Sequence, residues 1–389
     1  MSEQFKLGGI FTTVSVIITG VLGGLQGCSN GDPFVQELNP PAVTTTSTGA
    51  TISGSAVKGL LTGADCIATN TAGIELYSSV GNESPCTSSR GRYSFQLLSN
   101  PTTPVVVTLQ ARTSMTQMLC DFPAGCGNGV AFGESLDLSN DFSLRAVVPT
   151  IPSTVTTQEV NISPWTEVAT ARAISSASSL SSVTTTQVES AYLEVASVLN
   201  NVLSLEGTSD EFDGNFFSID LVDLAAPDQD DDIDSGEERS ATLMSLASAS
   251  LFNLVDTTNT SITSVVQNLS SAFSSDGEFN VNDTATGIAD DNGIDLADII
   301  TGVGGVVQDI QSVLQPNAVT QLATFLNTSD LTTELSSIKS AADTLAELKE
   351  SVVNVELDTT KPVNLIELAG ESDFTVGFEK CTDGVNGSV

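Results

Sequence analysis

The sequence contains no histidine, and its 389 residues include 12 bases against 48 acids, one tryptophan and three tyrosines. Each shortage excludes something. Without imidazole there is no Ser-His-Asp or Cys-His catalytic unit, no His-ligated zinc or copper site and no c-type haem attachment sequence. Four acids per base give a net charge of −36, which repels phosphate backbones, so nucleic-acid binding is excluded. Aromatic residues make up 5%, fewer than sugar-cleaving or sugar-binding clefts usually need as stacking platforms. No G-x-S-x-G, Walker A or dinucleotide fingerprint occurs. The absence of Cys-x-x-Cys removes the spacing of thioredoxin-like redox sites and zinc ribbons. A glycosidase needs two acids flanking a cleft, and a sequence with 48 acids cannot single out such a pair. The chain reads as a protein that is not an enzyme.

What is present is 40% hydrophobic, enough for two or three domains at roughly 150 residues each. The first segment is an address rather than part of the fold. After Lys6 the stretch Leu7 to Leu25 is uncharged and apolar, nearly long enough to span a bilayer, and it ends in Leu25-Gln26-Gly27-Cys28. Against a transmembrane anchor stand its many glycines and hydroxyl residues and the polar Ser29-Asn30-Gly31-Asp32-Pro33 that follows in place of a basic stop. The segment resembles a bacterial lipoprotein signal. That resemblance implies removal of residues 1–27, diacylation of Cys28 as the mature N-terminus and, with Ser29 rather than Asp after it, sorting to the outer membrane, facing either the periplasm or the exterior. Two acyl chains would make the anchoring stable.

Five further cysteines would sit in an oxidising compartment, where disulfides are the default. The spacing suggests a tight Cys120–Cys126 loop and a Cys66–Cys86 pair; connectivity stays open, because Cys381 is left over to remain free, pair between chains or displace a partner.

Residues 28–49 read as a Thr/Pro-rich tether. Residues 50–151 change to short period-two runs, TISGSAV, CIAT, GIELYS, RYSFQLL, VVVTLQAR and FSLRAVV, bounded by Gly, Asn, Ser or Pro. Such spacing predicts an antiparallel β-sandwich. Residues 152–353 read as a mainly helical, bundle-like domain and residues 354–389 as a strand-like tail. Thr186-x-x-Glu189 has capping-box form, with Val188, Tyr192, Val195, Leu199 and Val202 at helical spacing and Gly207 as a stop. Further helices are expected over Ala241–Val255, Ser261–Phe273, Leu296–Leu314 and Leu331–Val352, the glycines of Gly302-Val303-Gly304-Gly305 forming a packing face.

Two segments carry a family resemblance. Gly54-Ser55-Ala56-Val57-Lys58-Gly59-Leu60-Leu61-Thr62-Gly63-Ala64 resembles the opening strand and turn of the carboxypeptidase regulatory-like, or prealbumin-like, domain, and Ser89-Arg90-Gly91-Arg92-Tyr93-Ser94-Phe95 its second hallmark, a turn glycine before an aromatic-x-Phe strand. The family's domain is a sandwich without peptidase machinery. Asn161 to Ala173, NISPWTEVATARA, resembles a segment that follows such sandwiches in bacterial surface proteins, Trp165 standing where the pattern has Leu; LMSLASAS and FSSDGEFN resemble a later part of the same helical module, which implies no activity.

Chemistry is most concentrated in the acidic loops. Asp228, Asp230, Asp232 and Asp234 alternate as ligands of a hard cation such as Ca2+ would, but Ile233 and Arg239 occupy the glycine and glutamate positions of an EF-hand. Asp290, Asp291 and Asp295 form a second cluster, similar to part of a dockerin loop. Two readings stand for both: solvated acidic loops before helices, or cation sites. The functional expectation is a non-catalytic, lipid-anchored surface protein that makes contacts, with calcium assisting; the alternatives are an extracellular polysaccharide-binding lipoprotein and an accessory subunit of an envelope complex.

Overall fold

In a computed structural model the described residues are 49–127, 129–203, 205, 210–227, 238–255, 261–279 and 296–353. The six period-two runs all form strands. In chain order the strands are β1 (Thr51–Ser55), β2 (Leu61–Thr62), β3 (Asp65–Asn70), β4 (Glu75–Ser78), β5 (Arg92–Gln96), β6 (Val105–Gln110), β7 (Gln117–Leu119), β8 (Ser135–Asp137), β9 (Ser143–Val148) and β10 (Thr157–Glu159). They make three sheets, ordered β10-β1-β5, β2-β7-β8 and β4-β3-β6-β9. In β5 the alternation is plain: Tyr93 and Phe95 are buried while Ser94 and Gln96 are exposed. Tyr77 of β4 stacks on Phe95 with ring centroids 4.2 Å apart, so the first and third sheets meet face to face.

One pairing departs from the antiparallel expectation. β10 runs parallel to β1, with Ile52 opposite Gln158, because the chain reaches β10 from β9 in the other sheet rather than through a hairpin. Both disulfides form, Cys66–Cys86 and Cys120–Cys126, with Cα separations of 5.6 and 5.7 Å.

The helices are α1 (Pro164–Ser176), α2 (Thr185–Val202), α3 (Glu238–Ser250), α4 (Ile262–Ser274), α5 (Leu296–Val313), α6 (Pro316–Phe325) and α7 (Leu331–Val353). The fold is therefore mixed β plus α. The α2 cap differs from the expected one: Thr184 is the N-cap and closes a box with Gln187, while Thr186 already lies inside the helix. Consecutive threonines offered several registers, and Gln serves as the third-position partner as well as Glu. On α4, Ile262, Val265, Val266, Leu269 and Phe273 are buried as their spacing predicts. Gly302 of α5 packs at the end of α3, since a Cβ there would lie 2.9 Å from the Ser250 carbonyl oxygen; Gly304 makes ordinary contact with α7 and Gly305 faces open space. Sheets and helices share one hydrophobic core, in which Ile52, Leu109, Leu144, Trp165, Leu199 and Phe273 are all essentially inaccessible. Among the described residues no helix is long and apolar enough to cross a membrane.

Candidate functional site

The segment Asn161 to Thr170 fastens the helical part to the sheets residue by residue. The side-chain oxygen of Asn161 accepts from the Ser55 amide at 2.6 Å and from its hydroxyl at 2.9 Å. Ser163 caps α1 in a box with Thr166, and Pro164 takes the first helical position, where no amide proton is needed. Trp165 fills the core. Strand β9 lies at the edge of its sheet, and α1 covers it. The Thr166 hydroxyl donates to the Arg145 carbonyl at 3.0 Å, and the Val147 amide donates to the Thr170 hydroxyl at 2.9 Å. Two threonines four residues apart thus satisfy backbone groups that an open edge would leave for another chain.

The scarce bases act as tie points. Arg145 of β9 grips Glu167 of α1. Burial pushes the Glu167 carboxyl up, and the Arg145 guanidinium partly offsets this. Arg172 joins α1 to Glu194 of α2 and to the carbonyl groups of Ser274 and Ser275 at the end of α4. Arg239 of α3 bonds Asp210 at 3.0 Å and Glu334 of α7 at 2.7 Å.

Lys58 is the deepest of them. Its side chain is 0% exposed, and its Nζ lies 2.9 Å from Oδ1 of Asp121, itself 3% exposed. The Gly59 amide donates to the other carboxylate oxygen at 2.7 Å. Gly59 has φ +57°, and a Cβ there would sit 1.8 Å from the Leu119 carbonyl oxygen, so only glycine allows this approach. The ring of Phe252, in the single-turn helix Leu251–Leu254 after α3, lies 4.3 Å from Nζ, and Phe122 stacks beside it. Burial pulls the Lys58 ammonium down, and Asp121 opposes the shift. Sequence reasoning missed this cluster. Its one signal is a lysine inside the apolar run SAVKGLL.

On the surface, the turn Ser88 to Gly91 is closed by the Gly91 amide donating to Ser88 and presents Arg90 to solvent. A cleft of about 410 Å³ opens there, with Arg90, Arg92, Ser89, Thr62 and Gln117 on its polar side and Leu60 and Leu119 on its apolar side. A second, of about 590 Å³, begins at Arg92 and holds Ser94, Glu159 and Asp220. Arg92 is 3.7 Å from Asp220, which also accepts from the Ser55 hydroxyl at 2.6 Å. Guanidinium groups, hydroxyls and carboxylates together suit a polar, hydroxyl-rich ligand. Both arginines stand in the hallmark turn, but sequence alone gave no reason to separate them from its glycine and aromatics.

The expected lipidation residue Cys28 and the expected calcium ligands Asp228, Asp230, Asp232, Asp234, Asp290, Asp291 and Asp295 lie outside the described residues, as does Cys381. Among the described residues no group of three or more Cys, Asp or Glu is placed to hold a metal ion. Compared with known proteins, the chain matches no family model, no curated protein and no solved structure.

Proposed function

We propose that this is a lipid-anchored, non-catalytic protein of the bacterial outer membrane, whose prealbumin-like sandwich and helical module form one acid-coated body that works by contact, with calcium assisting cohesion. The address rests on the likeness of residues 1–28 to a lipoprotein signal, and the sandwich identity on the two hallmark segments. One observation carries the reading: the β part is stapled by Cys66–Cys86 and Cys120–Cys126 and is tied to the helices through Arg145–Glu167 and Lys58–Asp121–Phe252. Disulfides suit export, and bases spent on internal ties leave an exterior dominated by acids, which keeps a surface protein hydrated.

A second reading, binding of an extracellular polysaccharide, is favoured by the paired clefts at Arg90 and Arg92. In-cell photo-crosslinking from position 90, with Ca2+ or with a chelator, tests both. The contact reading expects one recurrent protein adduct that strengthens with Ca2+, and the second expects a polydisperse glycan adduct. No adduct in either condition would count against both.

A further inference from the structure

We infer that Lys58 and Asp121 are joined by an amide bond between Nζ and Cγ, formed within the folded chain. This goes beyond the proposed function and does not depend on it. The two groups are in contact, 2.9 Å from nitrogen to oxygen, and water is excluded from both. Each is held from both sides. Lys58 sits between Val57 and Leu60, which pair with each other across the turn, and Asp121 follows Cys120, which is fixed by its disulfide. Such fixed contact replaces a bimolecular encounter, which for well-oriented groups corresponds to effective concentrations of roughly 10⁵ M or more.

In water an ammonium and a carboxylate do not condense, because each charge is solvated and the amine has no free electron pair. In this pocket solvation is lost. Burial favours the neutral amine, and a proton passes from Nζ directly to Oδ1. The nitrogen lone pair then attacks Cγ, and the carbonyl electron pair moves onto Oδ2, where the Gly59 amide stabilises it from 2.7 Å. A second proton moves from nitrogen to Oδ1, the Cγ–Oδ1 bond breaks, and water leaves as the Cγ–Oδ2 carbonyl reforms. One N–C bond replaces one C–O bond, one water is released, and no oxidant, reductant or co-reactant is required. The Phe252 ring that faces the ammonium would then face the amide nitrogen. The product would brace the opening turn of the sandwich against the Cys120–Cys126 loop, a link that reduction cannot open.

Peptide mass analysis of the purified full-length chain, after reduction and alkylation of its cysteines, decides the matter. The expected result is a branched peptide joining the segment around Lys58 to the segment around Asp121, lighter than the sum of the two by one water. Lys58→Met should abolish it. Asp121→Asn should restore the same branched product by releasing ammonia instead of water. Recovery of wild-type Lys58 and Asp121 only in separate linear peptides would overturn the inference and leave a buried ion pair; because this reading is made on the natural chain, it stands even if the variants fail to fold.

Discussion

Arg145 and Glu167 lock strand β9 to helix α1: the Arg145 Nε lies 3.1 and 3.0 Å from the two carboxylate oxygens of Glu167, and the terminal nitrogen Nη2 closes on Oε1 as well. The carboxylate is 10% exposed and the guanidinium 34%. Breaking a pair this enclosed leaves one charge without its partner. Arg145→Met should therefore destabilise the fold by about 3 kcal/mol, at the low end for buried pairs because the arginine keeps some water. Urea denaturation followed by Trp165 fluorescence checks it, since the only tryptophan lies on α1 beside this joint.

Alkali should unfold the protein through its tyrosines. Burial raises the phenols of Tyr93 and Tyr192 well above their ordinary value, and the negative charges of Glu159 and Glu167, respectively, add to the shift. The folded chain binds these protons more tightly than the unfolded chain does. Their contribution is thus fully present below the ordinary tyrosine value, about 10, and is lost as pH rises above it. Ultraviolet titration should show these two rings ionising together with the loss of folded circular dichroism, not before it.

The two disulfides should contribute unequally. Cys66–Cys86 spans a sequence separation of 20, and Cys120–Cys126 one of 6. Loop-closure entropy puts the first at about 3 kcal/mol and the second at about 2. Paired serine substitutions at each bridge, compared by denaturation midpoint, should preserve that order.

Neighbouring glycines of α5 should respond in opposite directions. Gly302→Val would press its side chain against Ser250 and should cost about 1–3 kcal/mol. Gly305 has nothing within 4 Å of an added Cβ, so Gly305→Ala should raise stability by about 0.5–1 kcal/mol through helix propensity alone. Melting curves of the two variants check both signs.

The strands and helices legible in the sequence are those with a periodic apolar face, such as β5, β6 and α4. The two- and three-residue strands β2, β7, β8 and β10 are too short to show a period, and their partners are fixed by long-range pairing, as in Leu61 opposite Met118. α6 was missed because Pro316, which opens it, reads as a breaker when the cap is not seen. The glycine face was right at Gly302 and Gly304 and wrong at Gly305, since spacing cannot tell which side of a helix meets a neighbour. The disulfide pairs were readable from spacing. The candidate site was not: the contact of Lys58 with Asp121 bridges 63 positions, and neither residue type in isolation marks a buried pair.

Metabolic labelling with palmitate, read together with the mass of the mature N-terminal peptide, tests the anchored contact module most directly. The account predicts label on the natural chain, none on Cys28→Ser, and a mature chain that begins at a lipidated Cys28. An unlabelled protein that still begins at Met1 and still sediments with the outer membrane would contradict it.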